Sequence, residues 1–484
     1  MVTRSLQVQV YSLAFFTYFG FYVSREPYSL VKMTLLKTWA PFNGPDGWLL
    51  LGLLDTAGLA TYAIGIFIVG YLCEKFNCKH VLIIGCFAAG ITTIFYGMAN
   101  YWNVHNYWYF LVFRMLNGFA EAFGYPTLIK MLDHYFCHEV ARDFIMTAFG
   151  SCKFLGIIIG CVISSLSVSF SDKWGTCFIL CGLVLIAIGV LDMFLLPSLP
   201  PNSAPLVDET TPILANKDQK DVSSTNEAEN VKEPQDGTAP IIQTDGQTSE
   251  TRQQENLGNK ETLLEALRLP GIIEYAIHLF FVKLSVYVLY YWIPTWFESL
   301  TLQGVQISYV LSCWFTAVWG LGGCVGTLLI GLAVYLTELY GVFSTAFAAL
   351  ASVFILSLYW YSTLSTASLV IFLVILLCVG ITQNGPYSLA SACMPSAINR
   401  MQTGRNEKLV GMATGIIDGF GSVGAIFGPL SGAIILQWTT YGWGLVFLLV
   451  AVSMFVAASV LSRQVYLESK RCRAELEEVN SEEI

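Results

Sequence analysis

Charged side chains are scarce in this chain. Asp, Glu, Lys and Arg together make up 12% of its 484 residues, about half the share that soluble globular proteins carry. Hydrophobic residues make up 55% of the chain. This composition excludes an ordinary soluble domain and predicts an integral membrane protein. The net charge of −9 gives no support for binding to nucleic acid.

The chain also lacks the patterns that mark an enzyme or a metal site. Its 13 cysteines are scattered, mostly inside apolar stretches and without metal-ligand spacing, so we interpret most of them as small buried residues. No loop holds a nucleophile with a base, so we expect no enzyme activity, no metal and no cofactor. The opening segment, MVTRSLQVQVYS, lacks a small-residue cleavage site. We therefore expect the apolar run after it to be a membrane helix and not a signal peptide.

Apolar runs long enough to cross a bilayer, which takes about 20 residues, recur along the whole chain. They lie near 8–26, 48–72, 79–99, 107–131, 145–168, 176–196, 272–298, 307–333, 340–361, 366–394, 409–437 and 441–463. Six of these runs precede residue 200 and six follow residue 270. The pattern predicts an all-α membrane protein with twelve transmembrane helices in two six-helix halves. This is the layout of the major facilitator fold.

The segment between the two halves is polar and has no aromatic residue, so we expect it to be disordered. The composition divides the chain into four parts. These are an N-terminal six-helix bundle (1–200), a cytoplasmic linker (201–262), a C-terminal six-helix bundle (263–465) and a cytoplasmic tail (466–484).

Deletion of residues 205–258 from this linker is expected to leave folding and transport intact, because a polar disordered segment contributes little buried apolar surface. The measurement is the transport rate of purified, monodisperse protein in liposomes, beside full-length protein. Loss of transport in a well-folded deletion variant would contradict this prediction.

Lysine and arginine are distributed unequally between the two sides of the membrane. One side collects Arg4, Lys75, Lys79, Lys130, Arg142, Arg400, Arg405, Lys408, Arg463, Lys470, Arg471 and Arg473. The other side collects Lys32, Lys37 and Lys173. Cytoplasmic loops are the richer in positive charge, so both termini and the linker are predicted to be cytoplasmic.

Arg25 and Glu26 close the first apolar run. At about 100° per residue, Tyr18, Tyr22 and Arg25 lie within about 60° of one another on one face of that helix. An ionised residue at mid-bilayer costs about 2.5–3.5 kcal/mol on insertion scales, so Arg25 is a candidate functional residue. The alternative is that Arg25 reaches the interface or pairs with a structural acid.

The seventh run repeats this arrangement with Lys283, Tyr287 and Tyr290 on one face. The first and seventh helices begin the two halves, so pseudo-twofold symmetry would bring Arg25 and Lys283 towards each other across a central cavity. Two cations facing one cavity suit a divalent anion such as phosphate, which Arg binds with two parallel hydrogen bonds and Lys as a point charge. A structural acid as partner of Lys283 is the alternative.

The other charges within the runs allow more than one role. Glu121 can pair with Arg114 on the same stripe of the fourth run, balance a cation in the pocket, or carry a proton. Lys153 is either a third substrate cation or the partner of an acid such as Glu121. Asp418, like Asp55, lies among small residues, where a hydrogen bond between helices is the leading interpretation. We assign gating or charge tuning to a set of four residues: Glu26, Glu121, Arg114 and Asp418.

Several segments resemble the solute carrier family 37 sugar-phosphate exchangers. The resemblance spans both halves and is weakest in the linker. It is carried by SREPYSLVK and WAPF, YAIGIFIVGYLCEKFNCKHVL, NGFAEAFGYP, LRLPGIIEYAIHLFFVKLSVYVLYYWIPTWF, NGPYSLASA and ATGIIDGFGSVGAIFGPLSGAI. The seventh-run and eleventh-run segments are the most specific.

The resemblance implies exchange of a sugar phosphate, such as a glucose 6-phosphate-like organophosphate, for inorganic phosphate by alternating access. The family's first-helix arginine falls on Arg25, its seventh-helix lysine on Lys283, and a helix-5 basic residue near Lys153. Two departures add acid near the pocket: Glu26 replaces a basic residue and Glu121 replaces glutamine. Glu26 can then tune the site or act as a latch that the substrate displaces.

The sequence leaves two other functions open. They are a proton-coupled organic anion symporter that uses Glu121 or Glu26, and a non-transporting membrane sensor that works through its linker. The predicted partners are a small phosphorylated solute, inorganic phosphate and the lipid bilayer, without nucleic acid. We expect the endoplasmic reticulum membrane, with other endomembranes or the plasma membrane as alternatives. The particular organophosphate and the oligomeric state do not follow from the sequence.

Overall fold

The structure, a computed structural model, is almost entirely helical. The residues that it describes are 4–136, 142–198, 267–268, 271–364, 367–392 and 407–482. The helices of the first half are α1 (Arg4–Arg25), α2 (Pro27–Leu30), α3 (Lys32–Thr38), α4 (Gly47–Lys75), α5 (Cys78–Tyr101), α6 (Tyr107–Glu121), α7 (Tyr125–Phe136), α8 (Arg142–Phe149), α9 (Ser151–Phe170) and α10 (Gly175–Leu195).

The second half contains seven further helices and one short hairpin among the described residues. These elements are α11 (Ile272–Ser299), β1 (Thr301–Leu302), β2 (Val305–Gln306), α12 (Tyr309–Thr337), α13 (Tyr340–Ser362), α14 (Leu369–Ala392), α15 (Glu407–Trp438), α16 (Gly442–Val460) and α17 (Ser462–Glu482). The hairpin pairs Thr301 with Gln306 in antiparallel register. Its two-residue turn has positive φ at Gln303 (51°) and Gly304 (79°), the geometry that matches the twist of the flanking strands.

Ten membrane-spanning helices are evident from length and composition alone within the described residues. They are α4, α5, α8 with α9, and α10 to α16. Two further crossings, by α1 and by α6 with α7, complete the twelve predicted helices. α1 includes polar residues such as Gln7 and Gln9, which lower its mean hydropathy. α6 has only 15 residues and is too short to cross a membrane without α7. The predicted fold class is confirmed, whereas the predicted linker, 201–262, lies outside the described residues, as do Arg400 and Arg405.

Prolines accompany two helix breaks in the first half, one at the end of the predicted first helix (8–26) and one inside the predicted fourth helix (107–131). α1 ends at Arg25 and α2 starts at Pro27, and α6 ends at Glu121 before α7, in which Pro126 is the second residue. Proline lacks the N–H that an interior helical position needs but is tolerated in the first turn of a helix. Both breaks therefore place an acid, Glu26 or Glu121, at the point where the helix is interrupted.

Glycine allows helices to approach closely, both within the first half and between the halves. A Cβ atom on Gly160 of α9 would lie 2.6 Å from the Glu26 Cβ, and one on Gly156 would lie 2.6 Å from the Tyr22 Cβ. Between the halves, a Cβ on Gly323 of α12 would lie 2.5 Å from the Phe154 ring. These contacts support the packing interpretation of the helix glycines.

The two halves meet firmly at one end of the molecule, which we call the Trp48 end and define by Trp48, Trp292 and Trp443. The Trp48 ring centroid lies 5.7 Å from that of Trp292 and 6.0 Å from that of Trp443. Gln437 of α15 donates a hydrogen bond of 2.5 Å to the carbonyl of Pro45, which precedes α4. Farther along α15, a Cβ on Gly415 or Gly419 would have no neighbouring atom within 4 Å. The described contacts between α4 and α15 thus lie towards the Trp48 end.

The predicted tail, 466–484, is helical as far as Glu482 and docks on the second half. The Glu468 carboxylate accepts hydrogen bonds from the backbone N–H groups of Gly341 (2.8 Å) and Val342 (3.1 Å) at the start of α13. Acids are favoured at a helix N-terminus, where N–H groups lack partners within the helix. Burial nevertheless raises the pKa of Glu468, and the two N–H donors act in the opposite direction. Arg463 adds an exposed ion pair of 2.7 Å with Glu274 of α11.

Candidate functional site

A cavity lies between the two halves, about midway along the helices. The side chains that line it come from both halves of the molecule. The first half contributes Tyr18, Leu59, Tyr62, Tyr125 and Lys153, and the second contributes Lys283, Tyr287, Tyr387, Asp418, Ser422 and Ala425. Two lysines therefore face one carboxylate across a wall that is rich in tyrosine.

Lys153 on α9 is the cation of this wall that has no carboxylate partner among the described residues. The side chain is 5% exposed, and its Nζ lies 3.7 Å from the Tyr387 ring centroid. A cation–π contact compensates part of the cost of burial, although less fully than an anion would. Of the two roles predicted for Lys153, the structure places it in the cavity and not beside Glu121.

Lys283 on α11 faces the same cavity but is paired. Its Nζ donates a hydrogen bond of 2.6 Å to the Asp418 Oδ1 on α15. Lys283 also lies 6.0 Å from the Tyr387 ring centroid, so Tyr387 of α14 contacts both lysines. Asp418 was predicted to form a hydrogen bond between helices, and it does so with Lys283, which was predicted to bind substrate.

Arg25 is not among the residues that line the cavity, and it pairs with Glu121. Its Nε and Nη2 donate hydrogen bonds of 2.8 and 2.5 Å to the Glu121 Oε2. The guanidinium carbon lies 5.0 Å from the ring centroid of Tyr22 and 5.3 Å from that of Tyr62. Lys283 lines the cavity and Arg25 does not, and joint binding of one phosphate by these two cations stays a prediction. Arg25 forms a neutral pair behind two tyrosines, because Glu121 at the α6 break satisfies its charge.

Arg114 does not pair with Glu121, contrary to one prediction. It donates hydrogen bonds to the Asn117 side chain (3.0 Å) and to the Tyr291 hydroxyl of the second half (2.8 Å). Its Nε has no hydrogen-bond partner within the described part of the chain. Arg25 donates to the Glu121 Oε2, and the Glu121 Oε1 is left without a hydrogen bond from any described residue. Helical spacing places Arg114 and Glu121 on one stripe but does not reveal a third charge from another helix.

A buried ion pair at the Trp48 end is a site that the sequence analysis missed. The sequence predicts Lys32 to be a loop cation, but it lies in α3, is 1% exposed and pairs with Asp55 of α4. Its Nζ also lies 3.8 Å from the Trp292 ring centroid in the second half. The sequence feature that could have predicted this pair is Asp55, because an acid buried in a membrane helix requires a partner.

The predicted tyrosines divide between the cavity and the layers around it. Tyr18 and Tyr287 line the cavity, Tyr22 covers Arg25, and Tyr290 is 5% exposed away from the lining. Three lining tyrosines were not predicted, namely Tyr62, Tyr125 and Tyr387. Glu26 is 0% exposed and is likewise absent from the lining.

Comparison with known proteins decides the family. The model of the Major Facilitator Superfamily matches residues 10–406. The chain belongs to this superfamily. It is therefore a multi-pass membrane protein of a transporter family, which explains the absence of enzyme motifs in its sequence.

Curated relatives narrow this assignment further. "Putative glycerol-3-phosphate transporter 5" of Arabidopsis thaliana is 30% identical over 469 residues, which cover 94% of this chain and 90% of that protein. "Glucose-6-phosphate exchanger SLC37A2" of Xenopus laevis is 29% identical over 482 residues, covering 94% and 92%. The mouse protein of the same name is 28% identical over 478 residues, covering 94% and 91%. The predicted membership in the solute carrier family 37 sugar-phosphate exchangers is confirmed.

Proposed function

We propose that this family member transports an organophosphate, of the sugar phosphate or glycerol phosphate type, in exchange for inorganic phosphate. The observation that carries the proposal is Lys153, a buried cation that faces the cavity and has no carboxylate partner in the described chain. A buried charge without a partner is costly, and an anionic solute would supply one. The names of the relatives, a glycerol-3-phosphate transporter and glucose-6-phosphate exchangers, support the same solute class.

Substrate recognition is assigned to both halves. Lys153 and Lys283 provide the charge, and the hydroxyls of Tyr18, Tyr62 and Tyr287 are donors and acceptors for phosphate and sugar oxygens. Arg25 is assigned an indirect role, because it holds Tyr22 and Tyr62 from behind and has its own charge satisfied by Glu121. Glu121 and Arg114 then fix this layer in place.

Transport is proposed to proceed by rocking of the halves about the cavity, the general mode of this superfamily. The contacts at the Trp48 end close one side of the cavity in this conformation. From the distribution of lysine and arginine, we propose that the Trp48 end faces away from the cytoplasm, with both termini cytoplasmic and the endoplasmic reticulum as the membrane.

The test is counterflow in proteoliposomes loaded with inorganic phosphate. Labelled phosphate, glucose 6-phosphate and glycerol 3-phosphate are offered outside, and uptake is expected only when phosphate is present inside. Collapse of a proton gradient is expected to leave this exchange running. Uptake that needs a proton gradient and no internal phosphate would overturn the proposal in favour of a symporter. Binding without flux would overturn it in favour of a sensor.

Asp418→Asn is expected to tighten phosphate binding. The substitution frees Lys283 from its 2.6 Å ion pair, so both lysines become available to one anion. Hydrogen bonds to charged groups contribute about 1.5–3 kcal/mol, which corresponds to about a 10- to 150-fold change in affinity. Exchange should slow, because release becomes harder. Phosphate affinity and exchange rate are measured together, with Ser422→Ala as the uncharged control on the same helix. Unchanged affinity would show that Asp418 does not compete with substrate.

A further inference from the structure

Glu26 is a buried acid that the proposed exchange does not use. It lies between α1 and α2, is 0% exposed, and packs against Gly160 of α9, where an added Cβ would come within 2.6 Å of its own. Pro27 begins α2 directly after it. No water or lipid can reach the carboxyl in this conformation, because the protein covers it completely.

The carboxyl has few partners, and none of them is a cation. Its Oε1 lies 3.3 Å from the Ser29 hydroxyl and 3.6 Å from the Cys161 thiol, both of which donate to it. Its Oε2 has no hydrogen-bond partner among the residues that the structure describes. The neighbouring Arg25 directs its guanidinium to Glu121 instead. Glu26 thus differs from Glu121, Asp55 and Asp418, each of which is paired with a lysine or an arginine.

The ionisable groups around Glu26 come from both halves. Cys161 of α9 and Cys181 of α10 face it from the first half, and Tyr290 of α11 and Cys313 of α12 face it from the second. The Tyr290 hydroxyl lies close enough to interact with the Glu26 carboxyl, although it forms no well-aligned hydrogen bond with any described residue. Apart from the engaged Arg25, no group in this set is cationic. An ionised Glu26 would therefore be an uncompensated buried charge, which costs several kcal/mol.

The position of Glu26 makes this cost depend on conformation. α2 packs on α11 and α12, so the carboxyl lies in the seam between the halves on the side of the Trp48 end. Separation of the halves at that end would hydrate the carboxyl and remove the cost of its charge. Closure at that end would bring the cost back unless the carboxyl first binds a proton.

We propose that Glu26 is a proton-binding site that controls closure of the Trp48 end. The carboxylate takes a proton from water on that side before the seam closes, and it returns the proton to the same side when the seam reopens. The protonated acid then has an O–H group that can be directed to the Tyr290 hydroxyl. Low pH on the Trp48 side favours the closed seam, and no net proton crosses the membrane.

The size of the effect follows from linkage. The closed state holds one proton that the open state releases at neutral pH, where an exposed glutamic acid is ionised. The ratio of closed to open molecules should therefore fall up to about tenfold for each pH unit above the range in which exposed glutamate titrates. Glu26→Gln should be closed at every pH, because its side chain carries no charge.

The direct experiment measures the distance between spin labels at Asn43 and Tyr441 in substrate-free protein in lipid nanodiscs. Both positions are exposed and lie at the Trp48 end on opposite halves, in a background whose reactive cysteines have been replaced. Between about pH 5 and about pH 9, wild type should shift from the short to the long distance, and Glu26→Gln should remain short. Asp192→Asn is the matched control, since Asp192 is a buried acid bonded to Thr17 inside the first half alone. It should behave as wild type.

A distance distribution of wild type that does not change with pH would overturn the proposal, and so would an unchanged pH response in Glu26→Gln. If Glu26→Gln does not fold, infrared difference spectroscopy provides the second measurement. Wild type at about pH 5, where the closed seam is expected, should show the carbonyl band of a protonated, buried carboxylic acid, and Glu26→Asp should shift that band. Absence of the band, or a band that Glu26→Asp leaves unmoved, would also overturn the proposal.

A transport measurement completes the test and rests on the proposed exchange. Phosphate exchange should depend on the pH of the Trp48 side in wild type and lose that dependence in Glu26→Gln, which should run at the rate that wild type reaches at low pH. Proton movement that accompanies exchange and vanishes in Glu26→Gln would overturn the proposal of a returned proton. Because the spin-label distances need no substrate, failure of the exchange function and failure of the proton site give different results.

Discussion

Replacing Arg25 with alanine is expected to destabilise the protein severely, and a second substitution should largely reverse the damage. The Glu121 Oε2 accepts two hydrogen bonds from the Arg25 guanidinium, and the Glu121 Oε1 accepts none from the described residues. Removing one member of a buried ion pair costs about 3–5 kcal/mol, a large part of the stability of most proteins. Arg25→Ala should therefore lower the free energy of unfolding by that amount.

The reversal comes from Glu121→Gln in the same chain, because it removes the charge that Arg25→Ala leaves unpaired. The double variant should regain most of the lost stability and bind phosphate within a few-fold of wild type, since Arg25 lies behind Tyr22 and Tyr62 and not in the cavity wall. The measurements are unfolding in detergent and phosphate affinity. A stable double variant whose phosphate affinity has fallen tenfold or more would instead make Arg25 a direct ligand, as the family resemblance implies.

Replacing Lys153 with alanine is expected to weaken phosphate binding without destabilising the protein. Lys153 is buried and faces the cavity, so its loss removes one charge-assisted contact of about 1.5–3 kcal/mol. Phosphate affinity should fall by about 10- to 150-fold. Because no carboxylate pairs with Lys153 in the described chain, the substitution leaves no orphaned acid, and the free energy of unfolding should be unchanged or higher.

Lys173 provides a matched control for Lys153. It is exposed and lies 4.4 Å from the Tyr101 ring centroid, a cation–π contact like that of Lys153 with Tyr387 but outside the cavity. Lys173→Ala should leave phosphate affinity at the wild-type value. Lys153→Arg should bind phosphate better than Lys153→Ala, because it retains the charge. Equal affinity of Lys153→Ala and wild type would remove Lys153 from the binding site.

The opposite stability effects expected at Arg25 and Lys153 show why the two cations need different experiments. The charge of Arg25 is paired with that of Glu121, so removal of Arg25 leaves Glu121 as an unpaired buried charge and lowers the stability of the protein. No acid among the described residues pairs with Lys153, so removal of Lys153 is expected to lower the affinity for the solute. An affinity measurement without a stability measurement would confuse these two roles.

The membrane-spanning fold and its two six-helix halves could be predicted from the sequence. Long apolar runs identify membrane helices because backbone groups must be satisfied inside the lipid, and the polar segment after residue 200 separates the two sets of six. Charges such as Arg25, Lys153 and Lys283 stand out, since an apolar run has no other reason to contain them. Pro27 and Pro126 carried a signal for the helix breaks that the run-based analysis did not use.

The sequence by itself thus determined the membrane class, the number of helices and the list of costly charged positions. The tertiary structure decided which of these charges meet: Arg25 with Glu121, Lys283 with Asp418, and Lys32 with Asp55. Helical periodicity gives the direction of a side chain around its own axis. It does not give the depth or rotation of one helix relative to another, and these depend on contacts such as those of Gly160 and Gly323 with their neighbours. An ion pair requires the charged atoms to lie within about 4 Å of each other, so only the packed structure separates a paired charge from one that faces the cavity.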